Sequence, residues 1–408
     1  MLHVQRKLLP TKKSDNLAKQ TVWPSRQLHK TLYCGICLSL VFSCATDRPE
    51  DIQTLYINPH HATETVRMSE ISSSVRCVPL STSDETVIGE IGKISVENKY
   101  VYVSDPQSLY KFSMEGRLIA KIQRNGAGPE EYLDITDFQT DSDESVWILS
   151  RSNKRLHRYD WEGKLLETVS LNEWVSSILL SKDDMYLYVG NELDSLNRSR
   201  LKVLDMKTKT VGSEYLPIHP KQAGYLHVRN RQQFSRNGQK THFFEVFNDT
   251  VYALTEQAVT PAYYLNLDGR NIPASFFDRD YRDIMDFFQT LFGESYAYGT
   301  SLFMENDRQY VLTYHYDRKR FMGIVYKDKP LTYNFASILE DRLFHEYPIS
   351  LAELNISASN GQLVMALQPF EIVEYAREHL SGEQVDEIIR KLNYVSEDQN
   401  PVILIVDM

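Results

Sequence analysis

Tyr100-Val-Tyr-Val-Ser104, Leu109-Tyr-Lys-Phe112, the turn Glu115-Gly116 and Leu118-Ile-Ala-Lys-Ile122 form a module, and the chain repeats it at once. The second copy is Val146-Trp-Ile-Leu149, Leu156-His-Arg-Tyr159, Glu162-Gly163 and Leu165-Leu166 with Val169. Everything lies between Lys93 and Leu171, with Gly126-Ala-Gly-Pro-Glu-Glu-Tyr132 joining the copies. Alternating apolar residues in runs of four or five, stopped by Gly turns, are the mark of short strands. The turn glycines Gly116 and Gly163 stand 47 residues apart, and Asp160 and Asp205 stand 45 apart. A repeat of about 40–50 residues holding four short strands is that of a propeller blade.

Further copies follow. Tyr186–Val189, Leu201–Asp205 and the turn Lys207-Thr-Lys209 make a third; Phe243–Phe247, Asn248-Asp249, Val251–Leu254 and Ala262–Leu265 make a fourth. Ser301–Met304, Gln309–Tyr314, Phe321–Tyr326 and Leu331–Tyr333 make a fifth. A sixth begins at Leu354–Ser357 and Leu363–Leu367, is interrupted, and resumes at Pro401–Val406. The expected fold is all-β, a six-bladed propeller of four-stranded antiparallel blades over residues 70–408. A ring removes the exposed edges of its first and last blades, so Ser74–Val78 and Val402–Val406 should share the closing blade. Two interruptions have helical spacing. One lies near 280–292, with Ile284, Phe287, Phe288 and Leu291 on one face. The other lies near 370–393, where Ser381-Gly-Glu-Gln384 has the spacing of a capping box ahead of Val385, Ile388, Ile389 and Leu392.

The N-terminal part carries an address. Thr31–Ser43 is an apolar run of thirteen residues behind a basic flank. It is shorter than the ~20 residues of a membrane span and fits the core of a signal peptide, expected over residues 1–43. The thirty residues before the run are long for such a leader, and a start downstream of Met1 is expected. Val41-Phe-Ser-Cys44 resembles a bacterial lipobox, which implies lipidation of Cys44. Residues 44–69, with Pro49, Pro59 and His60-His61, read as lipidated cysteine and flexible tether. Cys34-x-x-Cys37 lacks the second ligand pair of a zinc site and lies inside the apolar run.

The chain of 408 residues has a formal net charge of -10. Residues 1–43 hold seven Lys/Arg against Asp15, leaving 38 basic and 54 acidic residues beyond them, a net charge of -16. A domain so acidic has no general attraction for polyanions, and no nucleic-acid partner is expected.

The run Ile71–Val75, Val78-Pro-Leu80, Ile88-Gly-Glu-Ile91, Tyr100–Val103, Phe112, Gly116 and Gly126-x-Gly-Pro-x-Glu-Tyr132 resembles the six-bladed β-propeller lipoproteins of Bacteroidetes. So do Phe247-Asn-Asp-Thr-Val-Tyr252 and Asn400-Pro-Val402. The resemblance covers roughly residues 70–408 and implies the fold and the lipid anchor; it brings no activity. This chain has Glu130 where the family has Gly after the Pro, which places a demand on the backbone there if φ must be positive.

Catalytic motifs are absent: no HExxH, GxSxG, Walker loop or dinucleotide fingerprint occurs. Gly126-x-Gly128 precedes a proline and no helix, so it reads as a structural turn. Asp141-x-Asp143-Glu144 lacks the spacing of a calcium loop and reads as a hairpin turn. Glu374 and His379 do not share a helix face. The richest polar-aromatic cluster is Tyr296, Tyr298, Tyr310, Tyr314-His-Tyr316-Asp317 and Arg318-Lys-Arg320, where tyrosines stack on a ligand or simply pack. No catalytic residue, cofactor or metal site is assigned. The expected function is a non-catalytic binding or scaffold module, anchored to a bacterial envelope membrane (the outer membrane foremost), with a glycan, peptide or protein partner. The alternative is a propeller enzyme, a lactonase, hydrolase or lyase, with its site in the central channel.

Overall fold

The computed structural model describes residues 52–408 apart from Asn98, Ser142, Asp143, Ser195, Leu196, 229–231, Gln257, Leu331 and Glu353. The segment expected to be a signal peptide, with Cys34 and Cys37, and the expected lipidation residue Cys44 lie outside the described residues. Six sheets form the ring. From the channel outward, blade 1 is Lys93–Glu97, Tyr100–Ser104, Leu109–Ser113 and Leu118–Ile122. Blade 2 repeats it as Asp137–Thr140, Val146–Ser150, Arg155–Tyr159 and Leu165–Ser170. The inner strands of blades 3, 4, 5 and 6 are Ser177–Ser181, Phe234–Asn237, Ala297–Glu305 and Asn355–Ser359.

The repeat extends to irregularities. In blades 1 to 4 the third strand slips register against the fourth, at Lys111/Phe112, Arg158/Tyr159, Val203/Leu204 and Val251/Tyr252. Such a bulge increases the local twist. Gly116 and Gly163 follow the first two with φ of 81° and 79°, as a turn in the left-handed region requires. In the third copy Lys209 takes that position with φ 58°.

The core is distributed between blades, which is how a chain this long folds without one large core. Tyr102 and Leu109 of blade 1 pack on Phe138, Ile148 and Tyr159 of blade 2. Trp147 and Leu149 of blade 2 pack on Ile178 and Leu187 of blade 3. Middle strands are covered on both faces, so Val146–Ser150 is buried throughout despite its mixed sequence.

Ring closure follows the expectation. Val402–Asp407 pairs antiparallel with Gln362–Leu367 on one side and with Ser74–Pro79 on the other, Leu404 opposite Cys77. Blade 6 thus takes three strands from one end of the chain and its outer strand from the other.

The expected tether departs from the structure. Gln53–Tyr56 adds in parallel to the outer strand of blade 4, Gln53 opposite Tyr263, and Thr63–Arg67 adds in parallel to that of blade 5, Thr63 opposite Phe335. These two blades therefore exceed four strands, and blade 5 also gains Tyr347–Ser350. The pairing satisfies edge N–H and C=O groups and buries Leu55, Ile57, Val66 and Met68. Composition misleads here because an edge strand buries only alternate residues. Among the described residues, strands ahead of residue 70 thus already belong to the propeller, the first of them Gln53–Tyr56.

The helical interruptions form where expected. Asp283 caps the helix Ile284–Gly293, its carboxylate accepting from Asp286 N at 2.9 Å. Pro369–His379 and Gly382–Leu392 follow in the long connection of blade 6, the second with its Ser381/Gln384 capping box and Asn393 in the left-handed region. They press Ile372, Val373, Ile388 and Leu392 onto the core between blades 5 and 6. No helix among the described residues is long and apolar enough to cross a membrane.

Candidate binding channel

The inner strands surround a cavity of about 210 Å³ that runs from Gly92 and Lys93 at one end to Glu97, Arg236 and Asn360 at the other. Side chains alternate across a strand, so Lys93, Ser95 and Glu97 of blade 1 and Asn355, Ser357 and Ser359 of blade 6 all reach it. Blade 5 contributes no lining residue. Gln232, just ahead of the inner strand of blade 4, bridges past it to blade 6. Its Nε2 donates to Ala358 O at 2.9 Å, and its Oε1 accepts from Ala358 N at 3.0 Å. One side-chain amide thereby satisfies both peptide groups of an inner strand that has no sheet neighbour on that side.

The seam between blades 6 and 1 is made by small polar side chains. Ser357 Oγ donates to Ile94 O at 2.9 Å, Ser359 Oγ donates to Val96 O at 2.8 Å and accepts from Val96 N, and Asn360 Nδ2 donates to Val96 O at 3.0 Å. Serines are short enough to let the strands approach.

Asp137 gathers three blades at the first mouth. Its Oδ1 accepts from Lys93 Nζ of blade 1 at 2.6 Å and from Phe138 N at 2.7 Å. Its Oδ2 accepts from Ser177 Oγ and Ile178 N of blade 3 at 2.7 and 2.8 Å. At the other mouth Glu97 accepts from Ser95 Oγ at 2.8 Å and from Thr140 Oγ1. Arg236 donates to Leu180 O at 2.5 Å; burial lowers its pKa and Glu97 works the other way.

A third buried carboxylate joins blades 4 and 5 away from the channel. Glu305 accepts from Lys240 Nζ at 2.5 Å, Lys327 Nζ at 2.6 Å and Tyr263 OH at 2.8 Å, with His242 Nε2 at 3.2 Å. Burial opposes its charge, but donors from His242, Lys240, Lys327 and Tyr263 outweigh it and hold the carboxyl below the ordinary range. All its capacity is spent within the fold.

The motifs singled out in the sequence resolve into structure. The carboxylate of Glu131 folds over the glycine pair: Gly128 N donates to Glu131 Oε2 at 2.9 Å, and a Cβ on Gly126 would lie 1.8 Å from that oxygen. The cradle holds the chain's own anion. Glu130 does not adopt positive φ, and its carbonyl accepts from Tyr159 OH at 2.9 Å. Asp141 Oδ2 pairs with Arg158 at 3.1 Å. His60 packs edge-on against Tyr316 at 5.3 Å and accepts from Arg270 Nε at 3.1 Å, so it is docked on the propeller. Glu374 is exposed, while His379 stacks on Tyr375 at 4.4 Å.

The tyrosine cluster divides. Tyr310 and Tyr314 are core residues, whereas Tyr296, Tyr298, Tyr316 and Arg318 line a surface groove of about 290 Å³ beside the helix Ile284–Gly293. Among the described residues no three His, Cys, Asp or Glu side chains gather as a metal-binding group. Lys93, Glu97, Asp137, Gln232 and Arg236 were missed in the sequence. Their one local signal is a polar residue at alternate positions, as in Lys93-x-Ser95-x-Glu97 and Asn355-x-Ser357-x-Ser359.

Comparison with known proteins gives fold and family. A Bacteroides fragilis protein described as exported has 18% identity and a TM-score of 0.68, over 88% of this chain and 99% of that one. A DUF4221 member from Bacteroides vulgatus has 9% identity and a TM-score of 0.48, over 82% and 96%. A streptogramin B lyase has 10% identity and a TM-score of 0.41, over 82% and 98%. No curated protein matches significantly. Residues 54–407 match the family described as a domain of unknown function, DUF4934. The chain is a six-bladed β-propeller belonging to the DUF4934 family.

Proposed function

We propose that the protein is a lipid-anchored component of a bacterial cell envelope whose propeller binds a partner without transforming it. The anchor rests on Cys44 behind the apolar run Thr31–Ser43, and the exported B. fragilis protein supports the location. The observation that carries the binding reading is the state of the channel's acids. Asp137 is held by four donors and Glu97 by two, all from this chain. Asp137 is thereby spent within the fold, while Glu97 keeps an acceptor position on each oxygen for a donor on the partner, an arrangement that suits recognition. The rest of the wall combines hydroxyl and amide groups with the cations Lys93 and Arg236 and with apolar Ile94, Leu179, Phe234 and Ile356. The partner class is a glycan, peptide or protein.

Two measurements test this. Cells fed an alkyne fatty acid should label the wild type and leave Cys44→Ala unlabelled; label retained on Cys44→Ala would refute the anchor. The purified lipoprotein, screened on a glycan array and by pull-down from envelope extract, should retain a saturable partner. Failure of both screens together with turnover of a lactone or ester would refute the binding reading.

A further inference from the structure

Arg236 has more hydrogen-bonding capacity than the fold uses. A guanidinium carries five N–H donors, and the hydrogen bond Arg236 makes goes to Leu180 O. It lines the channel from the inner strand of blade 4. Glu97 lines the same end from blade 1, with each carboxylate oxygen accepting one hydrogen bond and keeping a lone pair. Its charge acts on Arg236, yet among the described residues no ion pair joins them. Gln139 of blade 2 faces the same cavity, and its amide makes no hydrogen bond to the described protein.

This arrangement selects for charge. A simple anion on Arg236 meets the field of Glu97, and a simple cation on Glu97 meets that of Arg236. In a partly desolvated cavity an unpaired charge is costly, so a ligand bearing both signs is favoured over either alone. Size limits it further: about 210 Å³ lies below the roughly 300–1,000 Å³ of clefts for drug-sized ligands. We propose that this end of the channel binds a small zwitterion the size of a free amino acid, its carboxylate on Arg236 and its ammonium on Glu97, with the Gln139 amide bonding the carboxylate. The proposal rests on the binding reading and names a ligand class for it.

The test uses the mature lipoprotein in detergent, with calorimetry and thermal shift against the standard L-amino acids. Acetate and methylammonium serve as single-charge controls. At least one amino acid should bind and raise the melting temperature, while the controls do neither. Arg236→Gln and Glu97→Gln should each weaken binding about 10–150-fold, as loss of a hydrogen bond to a charged group does. Gln139→Ala should weaken it about 2–10-fold while melting like the wild type without ligand, since no protein partner is lost; this variant decides the matter if the others fail to fold. No binding by any amino acid, or undiminished binding in Gln139→Ala, overturns the proposal. A protein or glycan partner captured alongside a failed amino-acid panel would overturn the zwitterion alone and leave the binding reading standing.

Discussion

Asp137→Asn should destabilise the ring more than its conservative form suggests. Asp137 is 3% exposed and accepts four hydrogen bonds, one from the Lys93 ammonium. Removing one partner of a buried pair costs about 3–5 kcal/mol, mainly because the other charge is stranded. Lys93 retains Phe138 O at 2.8 Å and its side chain is 16% exposed, which favours the lower end, about 3 kcal/mol. The asparagine NH₂ also faces N–H or O–H groups it cannot accept from, adding about 1 kcal/mol. Lys93→Met in the Asp137→Asn background should recover about 2 kcal/mol by removing the stranded charge. A urea-unfolding double-mutant cycle measures the coupling, and tryptophan emission is well placed to follow it. Trp147 and Trp161 belong to blade 2, and Trp174 lies between blades 2 and 3. A midpoint within about 0.5 kcal/mol of wild type at constant slope, or single effects that simply add, would refute the account of Asp137 as the tie among blades 1, 2 and 3.

Three further outcomes are expected. Gly116→Ala should cost at least about 3 kcal/mol, because its Cβ would lie 1.8 Å from Pro79 O in the closing blade; Gly163→Ala should cost only about 1 kcal/mol, since the nearest atom is in the Arg124 side chain at 3.4 Å. Equal melting temperatures for the two would count against this. Deleting Pro401–Met408 removes the strand between Gln362–Leu367 and Ser74–Pro79 and should abolish the cooperative melting transition; an unchanged transition argues against closure by this strand. Burial, then Arg155, lowers the pKa of His157 to about 4. The folded state therefore resists a proton that the unfolded chain takes up near about 6.5. Its contribution to stability is complete above that value and is lost as pH falls toward 4, by up to about 3 kcal/mol. His157→Gln should flatten the urea midpoint against pH over this range, and an identical slope would refute it.

The residues that carry the family resemblance turn out to be fasteners. Tyr132 OH donates to Gln107 O at 2.9 Å, and Glu131 fills the glycine cradle. Asn400 Nδ2 donates to Ser81 O at 2.8 Å while its Oδ1 accepts from Ile88 N at 2.9 Å. Fasteners identify a fold, and for that reason they are silent about a ligand. The tyrosine cluster divides because Tyr310 and Tyr314 lie along the covered part of the strand Gln309–Tyr316, buried on both faces, whereas Tyr316 at its end and Tyr298 at the start of Ala297–Glu305 reach the groove.

What the sequence determined by itself is everything set within a window of a few dozen residues. Alternation made the strands, Gly116 and Gly163 set the turns, their spacing counted the blades, and helical spacing marked the two insertions. Tertiary structure alone decided the channel. Lys93 and Asp137 are 44 residues apart, and they meet because successive blades bring the starts of their inner strands together around one axis. It also decided the fate of Gln53–Tyr56 and Thr63–Arg67, whose partners at Tyr263 and Phe335 lie far along the chain. An open strand edge recruits a backbone whatever its composition, so no local pattern announced that pairing.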